Sequence, residues 1–381
     1  MRPTISTPAC ARDCKTPCRP DGHRVTDREH AGPPFRRSGR LTAKTVSLAH
    51  GGGGKAMRDL IDDVFIAAFD NPGTGELEDQ ARLDILQHMT AGGRLAFTTD
   101  SFVVHPIVFP GGDIGKLAVF GTVNDLAVGG AKPLWLSAAV IIEEGFAVDE
   151  LRRIARSMRE AADTAGVSIV TGDTKVVERG SADKLFITTA GIGVIPAGLD
   201  LSARAIKRGD CVLVNGRLGE HGTAILAARG DIEIETSVES DVQPLHGLVA
   251  ALLQAAPGTR ALRDATRGGI AAVLNEMALA ARLGISIDEA ALPLRREVQG
   301  FCEILGLDPL YLANEGVLVA VVPNAEAELA LRAMRAHPAG REASIIGVVT
   351  EERPGTVTMS TAFGGKRIVD MLIGEQLPRI C

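Results

Sequence analysis

Four glycines, a lysine and then a helical pattern, HGGGGKAMRDLI (50–61), form the first stretch whose residue types could do chemistry. Unhindered backbone N–H groups, a helix N-terminus and an ammonium together suit a phosphate. It is not a Walker A loop, because Ala49 stands where that motif needs glycine and Ala56 where it needs Ser or Thr. FPGGDIGKLA (109–118) fails the same pattern at Pro110 and Leu117. For each run the plain alternative is a flexible turn. Three aspartates recur at apparent strand ends: Asp100 in FTTDSFVV, Asp125 in TVNDLAVGG and Asp173 in VTGDTKVV. Singly each reads as a turn residue or helix cap. As a set beside a phosphate loop they suit Mg²⁺, which is held by a few carboxylates plus nucleotide phosphates. Lys175 follows Asp173 by two, so on an extended segment both point the same way. It could neutralise phosphoryl charge or be a salt-bridged surface lysine.

Further along, ANEGVLVA sets Asn314, Glu315 and Gly316 at the mouth of an apolar strand. Glu315 is a candidate for a raised pKa and acid–base work, against the plainer reading of a loop carboxylate. In RDATRGGIAAVLNE (263–276), Asp264 or Thr266 could cap a helix. His221 in LGEHGTAIL reads as a cap or a satisfied polar group before a catalyst. The chain closes on LPRIC, with a thiol at Cys381. That cysteine is either without consequence or a nucleophile on a mobile arm, and its spacing alone does not decide.

The elements that must position these residues alternate from Thr45 onward. Helical spacing marks 56–69, where Met57, Leu60, Ile61, Val64, Phe65 and Ala68 share a face, and 151–166, where Leu151, Ile154, Ala155, Met158, Ala162 and Ala165 do. Strands are expected at 134–142, 167–170 and 185–195. A second series starts near Asp210, with strands at 211–216, 317–323 and 344–350 and helices at 221–230, 268–284 and 325–337. PAGLDLSARAIKRGD (196–210) marks the boundary between two α+β domains, and a tail is expected from about Glu351.

The 381 residues suffice for two domains, and with only 3% aromatics the core must be built from Ala, Val, Leu and Ile. No apolar run reaches the roughly 18–20 residues of a membrane span, and the start lacks a secretory signal's apolar stretch. The net charge of −6 argues against a nucleic-acid partner. Six cysteines are no disulfide scaffold at this length; Cys211 and Cys302 read as buried small hydrophobes, which suits a reducing cytoplasm. Residues 1–44 hold ten Lys/Arg, four Asp/Glu and six prolines with few large apolar side chains, and are expected to be disordered. Cys10, Cys14 and Cys18 within them match no strong zinc pattern.

Taken together, AHGGGGK, the long stretch TTDSFVVHPIVFPGGDIGKLAVFGTVNDLAVGGAKPLWLSAA, TGDTKVVERG, LGEHGTAIL, RDATRGGIAAVLNE, ANEG and PRIC resemble the HypE family. These are the carbamoyl dehydratases of nickel–iron hydrogenase maturation, related to aminoimidazole ribonucleotide synthetase, selenophosphate synthetase and thiamine-monophosphate kinase. The resemblance implies an α+β, two-domain fold: an N-terminal ATP-binding domain (45–197) dimerising through a β-barrel, a C-terminal α+β domain (198–352) and a segment (353–381) ending in a flexible tail. It implies ATP and Mg²⁺, with Gly51, Gly52, Gly53, Gly54 and Lys55 over the phosphates. Asp100, Asp125 and Asp173 would be the metal set, and Asn124 would sit beside them. Cys381 would carry the carbamoyl group, Glu315 and Lys175 would deprotonate it, and Arg379 is a candidate helper. The implied partners are a second copy, the carbamoyltransferase HypF and the iron-carrying HypC–HypD pair. The alternatives are a small-molecule kinase or synthetase of the same fold, and a non-catalytic nucleotide-binding scaffold.

Overall fold

The computed structural model describes residues 41–69, 80–230, 236–372 and 379–380. The expectations for residues 1–40, for Pro378 and for Cys381 fall outside that set. After a 3₁₀ turn (Leu48–Gly51), α1 (Lys55–Leu60) runs through a π turn (Ile61–Ile66) into α2 (Ala67–Phe69). Leu60, Val64, Phe65 and Phe69 face inward, close to the expected stripe. Next come β1 (Arg94–Phe102), a small hairpin of β2 (Val108–Phe109) and β3 (Gly112–Asp113), then α3 (Ile114–Val128). β4 (Lys132–Glu143), α4 (Val148–Ala165), β5 (Ser168–Val177) and β6 (Leu185–Ile195) follow. The strands make a four-stranded sheet in the order β1-β6-β4-β5. Among the described residues it is an open sheet with β1 and β5 at its edges, and the expected barrel would need a second copy's strands.

One face of this sheet is covered. Leu136, Ala138, Val140 and Ile142 of β4 point into the core, and α4 lays Leu151, Ile154, Ala155, Met158, Ala162 and Ala165 into the same cluster. Each large side chain so buried contributes about 1.5–3 kcal/mol. α4 stops at Gly166, whose φ of 66° is the left-handed cap expected there. On the other face Leu95, Phe97 and Ile141 remain exposed.

The second sheet is larger. β7 (Cys211–Val214), α5 (Glu220–Arg229), α6 (His246–Ala255), β8 (Ala261–Asp264), α7 (Gly269–Ala281) and β9 (Gly284–Asp288) come first. α8 (Arg296–Leu305), β10 (Leu318–Val322), α9 (Ala327–Ala336), β11 (Ser344–Thr350), β12 (Val357–Ser360) and β13 (Lys366–Val369) complete it. The strand order is β13-β12-β9-β11-β7-β10-β8. β7 and β10 are buried on both faces, which is why they read as unbroken apolar runs. Leu213, Leu318 and Ala320 pack toward α6 and α9, while Val212, Val319 and Val321 pack toward α7.

The stretch after Glu351, expected as tail, instead adds β12 and β13 to this sheet. β12 pairs in parallel with β9, and Val357, Met359 and Val369 are buried. The alternation of Val357 and Met359 with Thr358 and Ser360 is a strand pattern. Apart from Lys116, Thr122, Asn124 and Asp125, α3 is made of apolar residues and glycine, and it is enclosed on nearly all sides. It packs on β1, β6 and α4 of the first layer and on α6 and β8 of the second.

Candidate active site

α3 therefore carries one acidic residue, Asp125, to a seam between the two sheets. Asp100 and Asp173 lie within β1 and β5, and Asp125 lies in the last turns of α3, so none is at the strand end that its flanking residues suggested. Small and β-branched neighbours occur in both settings and misled that reading. Asp264 ends β8, opposite Leu318 of β10, and Glu315 lies in the loop that enters β10. Asp264 does not cap α7 and neither does Thr266: the N-cap position is Gly268, which has no side chain to offer. Asp241 lies beneath Glu315, accepting from the Glu315 amide at 3.1 Å and the Gly316 amide at 2.9 Å. A Cβ on Gly316 would fall 2.0 Å from the Asp241 carbonyl oxygen, so only glycine permits this approach.

The electrostatics of the group are those of crowded, desolvated acids. Glu315 is held well above the usual carboxylate range, by burial first and then by Asp241, Asp264, Asp100 and Asp125. Among the described residues its buried Oε1 has no hydrogen-bond partner. Asp125 is pushed up to about 7 by burial and by Asp264, against the Thr98 hydroxyl that donates to it at 3.0 Å. Burial raises Asp241 to about 6, against the two amides it accepts from. Burial likewise raises Asp264 and Asp100, the latter opposed by the Ser101 amide and Arg267. Such a set accepts protons or positive charge readily. Among the described residues no three of the acids stand close enough to hold a metal ion by themselves.

The remaining predicted residues are elsewhere. Asp173 and Lys175 lie on β5, separated from Asp100 on β1 by two intervening strands, a span of roughly 14 Å. Their side chains do point the same way: Lys175 Nζ lies 2.8 and 2.7 Å from the Asp173 oxygens and, with the Thr174 amide, holds that carboxyl low. The glycine-rich turn packs against β5, and Lys55 beyond it pairs with Asp59 at 2.6 Å. Asn124 is not available to a ligand. Its amide donates to the Gln243 and Glu315 carbonyls and its oxygen accepts from the Leu245 amide, so it fastens α3 to the second layer. The single chain thus divides the expected set into Asp100, Asp125 and Glu315 on one side and the glycine loop, Asp173 and Lys175 on the other.

At the C-terminal end, Arg379 and Ile380 are docked. Ile380 is 2% exposed in the first apolar cluster. Its carbonyl accepts from His221 Nε2 at 2.7 Å, and that of Arg379 accepts from the His105 amide and Arg229. The Arg379 guanidinium pairs with Asp183.

Comparison with known proteins gives this geometry a family. Residues 77–195 match the AIR synthase related protein N-terminal domain, and residues 207–360 its C-terminal domain. The carbamoyl dehydratase HypE of Rhodobacter capsulatus is 61% identical over 341 residues, covering 90% of this chain and 99% of its own. The chain belongs to the HypE carbamoyl dehydratase family. A crystal structure of HypE in complex with ATP superposes with a TM-score of 0.84 at 48% identity, covering 88% of this chain and all of that one. A HypE–HypF complex matches with a TM-score of 0.71 at 49% identity over 82% of this chain and 99% of that one.

Within this chain, sequence reasoning missed two acids of the seam. Asp264 was visible in RDATRGG but had a cap as its nearer explanation. Asp241, in ESDVQP, carries no local signal; only the loop that brings it under Glu315 gives it a place.

Proposed function

We propose that this chain dehydrates a carbamoyl group carried on the Cys381 thiol to a thiocyanate at the expense of ATP, supplying the cyanide ligand of the iron in a nickel–iron hydrogenase. The observation that carries this reading is Glu315, a buried carboxyl with an unpartnered oxygen among four other acids. An amide oxygen is a poor leaving group. Transfer of the γ-phosphoryl of ATP to the carbamoyl oxygen replaces it with phosphate. The product, S–C(=NH)–OPO₃, then loses its N–H proton to a base as the C–O bond breaks, giving S–C≡N and inorganic phosphate. Glu315 is the base, and its raised pKa brings it toward the range where a base works near neutral pH.

Mg²⁺ fits the seam: Asp264 and Asp100 raise the pKa of Asp125, Asp100 raises that of Asp264, and a cation relieves that repulsion. These residues would hold it, with nucleotide phosphates completing its ligands. Bound there, it would neutralise charge on the phosphates. The glycine loop (Gly51–Lys55) covers the phosphates. Asp173 and Lys175 join the site across a homodimer. When β1 of one copy lies against β5 of the next, the two open sheets close into a barrel over Leu95, Phe97 and Ile141. Asp173 of the partner subunit then lies on the strand next to Asp100. The domains divide at 45–197 and 198–352, and the protein works in the cytoplasm, receiving the carbamoyl group from HypF and passing cyanide to HypC–HypD. No helix among the described residues is long and apolar enough to cross a membrane.

The test is to incubate the protein with HypF, carbamoyl phosphate and Mg–ATP and weigh the C-terminal peptide. A carbamoyl mass on Cys381 that loses one water only with ATP is expected. Glu315→Gln should keep the carbamoyl group and lose water on the order of 10²–10⁴-fold more slowly. A tail that never gains the carbamoyl group, beside a HypE control that does, returns the reading to a free-substrate kinase of the same fold.

A further inference from the structure

His221 lies in the first turn of α5, is fully buried and is fixed at both ring nitrogens. The Ile380 carbonyl can only accept, so Nε2, 2.7 Å away, carries the proton. Nδ1 then accepts from the Ser240 hydroxyl, also at 2.7 Å. That hydroxyl in turn accepts from the Val242 amide at 3.2 Å. Burial holds the ring's pKa down at about 4, so it stays neutral with one donor and one acceptor. Phe109 stands edge-on to it, with ring centroids 5.5 Å apart. Ser240 is held by the Pro110 carbonyl, and at Gly111 (φ 93°) a Cβ would lie 2.8 Å from the Ser240 backbone. The next residue is Asp241, whose two oxygens accept from the amides of Glu315 and Gly316.

Hydrogen bonds and one peptide link therefore run without a break from the residue before Cys381 to the residue assigned as base. We propose that His221 is the positioning residue of the reactive tail, gripping the Ile380 carbonyl and, through Ser240 and Asp241, tying a seated tail to the backbone that orients Glu315. The inference rests on the reading of Cys381 and Glu315 given above. When the tail leaves, His221 Nε2–H becomes a buried donor without its acceptor, which disfavours the empty seat. Ile380 fills an apolar cluster that also contains Val242 and Ala313, neighbours of Asp241 and Glu315 in sequence. Seating the tail thus packs against the same loops that the hydrogen bonds join.

The experiment uses the full chain and reads two rates on the isolated C-terminal peptide by mass: alkylation of Cys381 by iodoacetamide, and ATP-dependent water loss after carbamoylation by HypF. His221→Leu should raise the alkylation rate and lower the rate of water loss, each on the order of tenfold for one lost buried hydrogen bond, with ATP binding unchanged. His221→Gln, which keeps an N–H at the Nε2 position, should stay near the wild type; a general packing role would not be rescued this way. Ile380→Asp empties the seat from the tail side and should copy His221→Leu even if the latter folds poorly. Unchanged rates of both kinds in His221→Leu and Ile380→Asp, with the wild type dehydrating normally, overturn the proposal. Failure of the wild type itself to lose water would instead overturn the dehydratase reading, and the alkylation rates would still decide whether His221 holds the tail.

Discussion

Glu315 and Asp241 are acids kept out of water next to other acids, and this has a thermodynamic sign. A carboxyl whose folded pKa is raised binds its proton more tightly in the fold than in the unfolded chain. Its contribution to stability is full below the unfolded pKa and is lost as pH rises through the folded value. For Asp241 that window runs from 3.8 to about 6, Asp125 extends it to about 7, and Glu315 has the same sign. Asp173 and His221 have the opposite sign: Asp173 acts below the window, and His221, held at about 4, is outweighed by Asp125, Asp241 and Glu315 together. The magnesium-free protein should therefore melt at a higher temperature at pH 5.5 than at pH 7.5. Scanning calorimetry at the two values checks this, and Glu315→Gln should narrow the gap. The candidate base could be read from its place before an apolar strand. Its pKa could not, because four of the charges that set it arrive from other segments.

At the scale of elements, periodicity found what has one buried face. α4 and β4 are amphipathic, and their expected and observed inward residues agree. α3 escaped because a helix enclosed on all sides shows no period, yet it is the element that brings Asp125 to the seam. β12 and β13 were taken for tail because they are short and follow a polar turn. Their Val357, Met359 and Val369 are nevertheless buried in the second sheet. A chain ending at residue 352 should lose on the order of 5 kcal/mol of stability at about 1.5–3 kcal/mol per buried side chain. A chain ending at 372 should keep its cooperative unfolding. Urea melts of the two truncations separate these outcomes.

For the whole molecule, the open four-stranded sheet sets the question. Asp100 and Asp173 occupy opposite edges, so a site that needs both must draw them from two copies. Asp100→Asn and Asp173→Asn should each abolish dehydration alone. Mixed after mild dissociation, they should regain activity approaching a quarter of the wild type when subunits reassort at random, because half the dimers then hold one intact site. Water loss from the carbamoylated peptide measures it. No recovery in a mixture shown to contain heterodimers would mean that each copy builds its site alone.

The sequence by itself determined the two series of α and β elements, the phosphate-like glycine turn, the family, and the candidacy of Glu315 and Cys381. These follow from residue type, spacing and short motifs, all local properties. Tertiary structure alone decided that Asn124 is a fastener, that Asp241 and Asp264 join Glu315, that Asp173 stands apart from Asp100, and that His221 holds the Ile380 carbonyl. Each depends on which distant segments are packed together, and burial and strand order, not sequence distance, set the charge and partners a side chain meets.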